Sequence, residues 1–203
     1  MSSLIFTPDS SVLLQNSTLV EKLPQRLFTR REVIEPCNDV MWMIERGAVR
    51  TLTWSEEGTF ITLGYWGTGD LIGYPLSQVK PYQIECLTSV EVTTIPLHLG
   101  HQYIDALVAH IQNLEELLNI VNRKPMSLRL WEFLVWLSKK FGRDVEQGSL
   151  IELYITHQEI AEVLNTTRVT ITRLLQEFET AKMLLRYHRR IILCIPNKLL
   201  QTS

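Results

Sequence analysis

Residues 155–178 read ITHQEIAEVLNTTRVTITRLLQEF, a pattern that predicts two short helices joined by a tight turn. Thr156 and Glu159 have the Thr-x-x-Glu spacing of a capping box, which marks the start of a helix. Thr167 is a second N-cap candidate. Asn165 lies between the two starts, where a turn needs a residue that tolerates positive φ. The segment therefore contains two helix starts and one turn.

Apolar residues recur in both predicted helices at the spacing of a buried helix face. They are Ile160, Ala161, Val163 and Leu164 in the first helix and Ile171, Leu174, Leu175 and Phe178 in the second. At about 3.6 residues per turn, Val169 and Arg173 fall on the opposite side of the second helix. A helix that exposes this face can lie in the major groove of DNA.

The exposed side chains suit the reading of base edges. The guanidinium fork of Arg168 or Arg173 can bond guanine O6 and N7 together, while Val169 can touch only a thymine methyl group. Short polar side chains near the two helix starts are expected to contact phosphate oxygens, which fixes the register on DNA without reading sequence. These backbone-contact candidates are His157, Gln158, Thr167 and Thr170.

The run Thr167–Leu175, TRVTITRLL, resembles the helix-turn-helix of the Crp/Fnr superfamily of bacterial transcription regulators. It is more similar to the nitrogen-control (NtcA) branch than to the catabolite-activator branch, which has a glutamate at the position of Val169. The resemblance implies that Arg168, Val169 and Arg173 read a GTA-containing half-site, with an inverted copy completing a palindrome. It also implies an α+β fold, with a β-roll like the cyclic-nucleotide-binding double-stranded β-helix, a long dimerisation helix and a winged helix-turn-helix.

The N-terminal half fits the β-roll of this fold. Glycines punctuate runs that predict strands, namely Arg26 to Ile34, Val40 to Trp54, Thr59 to Trp66 and Tyr82 to Leu97. The patterns IERGAVR at 44–50 and GDLIG at 69–73 resemble the roll of the superfamily. The resemblance covers roughly residues 25–197 and implies three parts: the roll in 1–100, the dimerisation helix in 101–123 and the winged DNA-binding domain in 124–203.

The effector pocket departs from that of the cyclic-nucleotide-binding relatives. In those relatives a glutamate that holds the ribose follows the glycine at the position of Gly73, and an Arg-Ser pair later clamps the phosphate. Here Tyr74 and Pro75 follow Gly73, and Lys80-Pro81 stands near the Arg-Ser position. A proline has neither a hydroxyl nor an N–H to give a phosphate oxygen. We therefore expect a degenerate pocket and no cAMP dependence.

A 2-oxoglutarate effector, as the nitrogen-control branch suggests, is also disfavoured. The arginine expected on the dimerisation helix near His110 is absent. Two alternatives stay open: the roll binds another ligand, such as an apolar or aromatic one, or the protein is active without a small molecule.

Apolar residues in 101–123 alternate at spacings of three and four, as at positions a and d of a heptad. They are Ile104, Leu107, Ile111, Leu114, Leu118 and Val121. Such a stripe commonly packs on a sheet of its own chain. Leu117 widens the stripe, however, so one side can cover the roll while the other meets a second copy. A homodimer is also what a palindrome requires.

The region after the heptad completes a winged domain. Leu128, Trp131, Leu134 and Val135 begin an apolar helical stripe that runs to Phe141 and is expected to end in a turn at Gly142. After the second motif helix, Leu184–Tyr187 and the run 191–195 predict a hairpin whose tip is His188-Arg189-Arg190. Arg186, Arg189 and Arg190 would meet phosphates beside the groove and add salt-dependent affinity.

Charge is unevenly distributed along the 203 residues, whose net charge is −2. Residues 1–123 have 8 Lys and Arg against 14 Asp and Glu, a balance of −6, and residues 124–203 have 12 against 8, a balance of +4. The basic character thus coincides with the motif. We found no transmembrane run or signal peptide, which favours the cytoplasm.

Cysteine and histidine spacing gives no reason to expect a metal or another cofactor. Cys37, Cys86 and Cys194 are widely spaced and are interpreted as reduced thiols. The sequence lacks a nucleophile and base pair at known spacing and a glycine-rich phosphate loop, so an enzyme is not expected.

These observations predict a homodimeric transcription regulator that binds double-stranded DNA. Contact with RNA polymerase is implied by the family alone, and repression by occluding a promoter fits the same residues. The alternative from another class is a ligand sensor whose helical domain binds a protein partner rather than DNA.

Overall fold

The computed structural model describes residues 23–35, 37–187 and 190–194 and has a β-roll, a long helix and a winged domain. The roll contains β1 (Gln25–Phe28), β2 (Val33–Ile34), β3 (Val40–Arg46), β4 (Val49–Trp54), β5 (Phe60–Trp66), β6 (Leu71–Ile72), β7 (Gln83–Cys86) and β8 (Val90–Pro96). Short 3-10 segments follow at Tyr74–Leu76 and Leu97–Tyr103. The rest contains α1 (Ile104–Val121), α2 (Met126–Phe141), β9 (Gly142–Val145), β10 (Gly148–Ile151), α3 (His157–Val163), α4 (Arg168–Thr180), β11 (Leu184–Tyr187) and β12 (Arg190–Leu193).

The roll consists of two antiparallel four-stranded sheets, in the orders β1-β8-β3-β6 and β2-β7-β4-β5. Alternation along the strands sends one set of side chains inward. In β8, Val90 and Val92 are buried while Glu91 between them is more accessible. Together with Trp42, Trp66 and Ile84 they form one buried cluster between the sheets. The predicted β-roll is therefore confirmed.

Three of the predicted strand runs are divided in the structure. The run Tyr82 to Leu97 is separated into β7 and β8. The run Arg26 to Ile34 is broken by a turn at Arg31, whose φ is 71°. The run Val40 to Trp54 is broken at Gly47, whose φ is 97°. A Cβ at Gly47 would lie 2.3 Å from the carbonyl oxygen of Ser89 on the neighbouring turn. Alternation alone does not locate such turns, because both flanking strands continue the same hydrophobic pattern.

The predicted end of the helix at Gly142 is confirmed, but the turn expected there is a strand instead. This residue has φ −103° and ψ 163°, so it ends α2 in an extended conformation and begins β9. β9 and β10 form a hairpin within the sheet β11-β12-β10-β9. The sequence pattern does not predict this hairpin, because β9 is short and mostly polar, with the sequence GRDV.

The roll and the winged domain share one hydrophobic core. Tyr65 of β5 is buried, with its ring centroid 6.1 Å from that of Phe133 and 6.4 Å from that of Trp136, both on α2. Leu117 and Ile120 on the inner face of α1 belong to the same cluster. No helix in the described part of the chain has both the length and the apolar character to cross a membrane.

Gly148 provides a test of how closely the winged sheet is packed. Its φ is 139°, and a Cβ would lie 2.0 Å from the carbonyl oxygen of Leu193 in β12. We expect Gly148→Ala to lower the free energy of unfolding by about 2 kcal/mol or more, because backbone strain and a backbone clash combine. Urea denaturation measures this change.

Gly58→Ala is the matched control. Gly58 also has positive φ, at 79°, but no heavy atom would lie within 4 Å of its Cβ. Its substitution should cost only about 1 kcal/mol, from the left-handed conformation alone. Equal losses at the two positions would contradict the close contact at Gly148.

Candidate nucleic-acid interface

Both predicted helix starts of the motif are confirmed. The hydroxyl of Thr156 accepts from the backbone N–H of Glu159 at 3.1 Å, and the Glu159 carboxylate accepts from the Thr156 N–H at 2.6 Å. This is the predicted capping box. Thr167 Oγ1 accepts from the N–H of Thr170 at 3.1 Å at the start of α4. Asn165 has φ 49° in the turn between the helices.

The two helices pack through their predicted apolar faces. All eight apolar residues assigned to the buried faces are buried: Ile160, Ala161, Val163, Leu164, Ile171, Leu174, Leu175 and Phe178. Phe178 makes an edge contact with Trp131 of α2, with ring centroids 5.6 Å apart. This three-helix packing fixes the side of α4 that meets water.

The opposite face of α4 presents the candidate base-reading residues to solvent. Val169 is 77% exposed. Arg168 is also exposed. Arg173 is exposed and pairs with Glu177 one helical turn later. Such an exposed pair contributes little stability, so the guanidinium can change partners at low cost.

A cleft of about 520 Å³ lies between the helix starts and the wing. Its lining includes five of the predicted contact residues: His157, Gln158, Arg168, Arg186 and Arg190. Three arginines around one concave surface create a positive potential that attracts phosphate. The structure therefore brings together a candidate base-reading arginine at the start of α4 and the backbone-contact candidates of α3 and the wing.

His157 has a second role that the sequence did not reveal. Its Nδ1 is 2.8 Å from Thr172 Oγ1, and that hydroxyl donates to the Arg168 carbonyl at 2.9 Å. Since the hydroxyl proton is used, His157 Nδ1–H must be the donor to Thr172. Burial, then Arg186 and Arg168, lower the pKa of His157. The side chain links α3 to α4 as well as facing the cleft.

The wing is a hairpin of β11 and β12, which pair from Leu184↔Leu193 to Tyr187↔Arg190. Arg186 forms an ion pair with Glu179, with Nε 3.2 Å from Oε2. The sequence predicted that Arg190 lies at the tip of this hairpin, but it is the first residue of β12. Arg189 lies outside the described residues.

The residues of the predicted effector pocket lie along one short segment of the roll. Gly73 has φ 149°, and a Cβ there would be 3.2 Å from the backbone of Met41. Tyr74 and Pro75 begin the 3-10 segment, and the Tyr74 hydroxyl donates to the Tyr82 carbonyl. Their rings meet edge to face at 5.0 Å. Lys80 and Pro81 are exposed in the loop before Tyr82.

Aromatic side chains occupy the interface between the roll and α1. Trp66 donates through Nε1 to Thr51 at 3.0 Å and stacks on His110, with ring centroids 4.0 Å apart and planes 1° apart. His110 Nδ1–H donates to the Leu71 carbonyl at 3.0 Å. His110 is where the sequence lacked the arginine of the nitrogen-control branch. A lone histidine on a helix gave no signal of this stacking.

The outer face of α1 is apolar and exposed. Four of the six predicted heptad residues lie on it, Ile104, Ile111, Leu114 and Leu118, and Val108 joins them. Ile111 is 57% and Leu118 is 63% exposed. The other two heptad residues, Leu107 and Val121, pack against the cores of their own chain.

Among the described residues, no group of three or more His, Cys, Asp or Glu side chains is placed to hold a metal ion. The three cysteines are free thiols. Burial, followed by the charges of Glu32 and Glu85, raises the pKa of the Cys86 thiol to about 12. Cys86 is therefore an unreactive core residue.

Comparison with known proteins agrees with this geometry. The Crp-like helix-turn-helix domain matches residues 128–202. The regulatory protein CysR of Synechococcus elongatus is 40% identical over 196 residues, which cover 94% of this chain and 94% of CysR. The chain belongs to the Crp/Fnr family. The global nitrogen regulator of the same organism is 28% identical over 203 residues, with 89% and 90% of the two chains covered.

Solved Crp/Fnr structures have the same fold. A transcriptional regulator of the CRP family from Thermus thermophilus superposes with a TM-score of 0.72 at 20% identity, over 87% of this chain and 94% of its own. FixK2 from Bradyrhizobium japonicum gives a TM-score of 0.70 at 18% identity, over 88% of this chain and 95% of its own. The predicted fold class is confirmed.

As a Crp/Fnr protein the chain is a transcription regulator with a DNA-binding helix-turn-helix, and it is not an enzyme. The predicted DNA binding is confirmed at the level of the family. The alternative, in which the helical domain binds a protein partner instead, is set aside because the family uses this domain for DNA.

His110 gives the Crp/Fnr roll a measurable pH dependence of stability. Burial lowers the pKa of His110 in the folded protein, the Leu71 hydrogen bond and Asp70 oppose this effect, and Lys140 adds to it. The unfolded chain therefore binds the proton more readily. Stability that is present above the ordinary histidine pKa, about 6.5, is lost as pH falls through it towards the lower folded value.

The His110→Asn variant tests this assignment. Asparagine keeps a donor for Leu71 but cannot take up the proton. We expect a smaller loss of urea midpoint between about pH 8 and about pH 5.5 than in the wild type, although the variant is less stable at both. The exposed His98→Asn is the control and should retain the wild-type pH dependence. Equal pH dependence in His110→Asn and wild type would refute the role of His110.

Proposed function

We propose that this regulator acts in the bacterial cytoplasm as a homodimer that reads a GTA-containing palindrome without cAMP. The observation that carries the proposal is the solvent-exposed face of α4, where Arg168, Val169 and Arg173 stand beside a basic cleft. The packing of α3 and α4 buries the apolar side of α4 and leaves that face open to DNA.

Each base-reading residue has a chemical role in the proposal. Arg168 and Arg173 would donate in pairs to guanine O6 and N7, and Val169 would contact a thymine methyl group. Arg173 exchanges its Glu177 partner for the base edge. The distance between Arg168 and Arg173 along α4, somewhat more than one turn, matches a short half-site.

The cleft and the helix starts supply contacts to the DNA backbone. His157, Gln158, Arg186 and Arg190 line the cleft. The hydroxyls of Thr167 and Thr170 lie at the start of α4, 2.9 Å apart. Arg189 joins this set from the sequence alone. These contacts position the reading head and make its affinity dependent on salt.

A second copy of the chain is the partner that suits the outer face of α1. An apolar stripe on a long helix, opposite a side already buried on the roll, favours a helix-to-helix seam. Residues Ile104, Val108, Ile111, Leu114 and Leu118 would form its centre, with Leu107 and Val121 at its margins. Two-fold symmetry then presents two α4 helices to a palindrome about one DNA turn apart.

Activity without cAMP is supported by the chemistry of the roll. Tyr74 and Pro75 follow Gly73 where the ribose-binding glutamate stands in cyclic-nucleotide-binding relatives, and Pro81 has neither a hydroxyl nor an N–H to give a phosphate. The Trp66–His110 stack fills the space between the roll and α1. A dimer on a promoter can contact RNA polymerase or occlude it, and both outcomes fit these residues.

DNA reading is tested by Arg168→Ala and Arg173→Ala. Each removes one bidentate contact worth about 1–3 kcal/mol, so we expect affinity for a GTA-N8-TAC duplex to fall about tenfold or more at fixed salt. Fluorescence anisotropy measures the affinity. Arg143→Ala removes an equal charge from an exposed arginine of the same domain and is the control. If a variant with both Arg168→Ala and Arg173→Ala stays within twofold of wild type, base reading by these residues is refuted.

The dimer is tested by Ile111→Glu. A charge at the centre of the apolar seam cannot be buried without a partner charge, so we expect light scattering to give the mass of a monomer. Gln112→Glu adds the same charge at an exposed neighbouring position and should leave the dimer intact. A dimer that persists in Ile111→Glu would place the interface elsewhere.

A further inference from the structure

Arg50 of β4 connects the roll to the first helix of the reading motif. Its Nε is 2.7 Å from the Glu85 carboxylate of the roll, and its Nη1 is 3.3 Å from Glu159 and 4.0 Å from Glu162, both on α3. The other oxygen of Glu159 accepts from the Thr156 N–H. One carboxylate therefore caps α3 and forms an ion pair with Arg50, whose Nη1 makes no hydrogen bond within the described part of the chain. We call Arg50 and its three carboxylates the arginine clasp.

The arginine clasp is charged and poorly hydrated. The side chain of Arg50 is 12% exposed and that of Glu162 is 15% exposed, so water screens the cluster weakly. Burial lowers the pKa of Arg50, but Glu85 and Glu159 outweigh burial and the pKa is raised overall. The guanidinium thus stays charged. Without it, carboxylates from the roll and from α3 would face each other and repel.

Lys140 at the end of α2 forms a second junction. Its Nζ is 2.6 Å from Asp70 of the roll and 3.1 Å from the amide oxygen of Asn113 on α1. It also lies 5.8 Å from the centre of the Trp66 ring. The Asp70 carboxylate in turn accepts from the Gly67 N–H at 2.6 Å. We call Lys140, Asp70 and Asn113 the lysine clasp, which joins α2, the roll and α1.

Both clasps leave the functional surfaces open. Their members belong to the roll, the inner side of α1, α2 and α3, and none is on α4. Val169 on α4 and Leu118 on the outer face of α1 stay exposed while both clasps are closed. In this structure the winged domain packs on the roll without the roll covering the exposed face of α4.

We propose that the two clasps are positioning elements for DNA reading, which hold each winged domain at a fixed orientation on its roll and dimerisation helix. Since α1 would meet its symmetry mate, the clasps also fix the separation of the two α4 helices. They would give the dimer its preference for one spacing between half-sites. The inference rests on the proposed dimeric reading of a palindrome.

The test compares affinities for three kinds of duplex: GTA-N8-TAC, the same half-sites with the spacer changed by one base pair, and a single half-site. The variants are Arg50→Met and Lys140→Met. We expect about tenfold or greater loss on GTA-N8-TAC and a flattened spacing preference, because simultaneous engagement of two heads is lost. Affinity for the single half-site should stay within twofold of wild type.

Matched controls remove the same charge outside the clasps. Lys139→Met changes the exposed neighbour of Lys140, and Arg143→Met breaks an exposed pair with Glu152 within the winged domain. Both should keep the wild-type spacing preference. Thermal unfolding establishes that each variant is folded, and if Arg50→Met does not fold, Lys140→Met and Asp70→Asn carry the test.

Three results would overturn the inference. Tighter binding by the clasp variants would mean that the clasps hold an inactive arrangement. An unchanged spacing preference would mean that they do not position the heads, and an equal loss on the single half-site would indicate general damage to the domain. Failure of the proposed function would give a different result: the wild-type protein would bind GTA-N8-TAC no better than a scrambled duplex.

Discussion

Tyr65 belongs to the roll by sequence and to the winged domain by its surroundings. Its ring is buried between Phe133 and Trp136, and burying an aromatic side chain contributes more than most single interactions in a core. The side-chain amide of Asn113 on α1 donates to the backbone carbonyl of Tyr65 at 3.4 Å. The three parts of the chain therefore meet at one residue. A reading head on a flexible hinge would not share a core with its roll in this way.

The sequence predicted most of the fold, because the fold uses local signals. Capping boxes, helical periodicity and strand alternation act over a few residues, and the bounds of α3 and α4 agree with them. The sequence did not predict the turns at Arg31 and Gly47 or the hairpin after Gly142. They depend on close approach of distant backbone, as between Gly47 and Ser89, which no local pattern encodes.

Part of the candidate DNA surface could likewise be predicted from local sequence patterns, and part could not. The exposed face of α4 could be derived from periodicity, since its apolar side has to be buried. The clasps could not, because their partners are far apart in sequence: Arg50 and Glu159 are separated by more than half of the chain. Charged residues on strands and helix ends are usually solvated, so neither Arg50 nor Lys140 stood out. Only the folded chain shows that they meet carboxylates across a domain boundary.

Trp66 lies where a ligand of the roll could influence the orientation of the winged domain. Its ring stacks on His110 of α1 on one side and lies beneath Lys140 of α2, so one side chain of the roll touches both parts that set the position of the reading head. A ligand shifts a conformational equilibrium only by its difference in affinity for the two states. A small molecule that displaced Trp66 or packed on it would disturb both of these contacts. Its signal would then reach the DNA-binding domain through the lysine clasp.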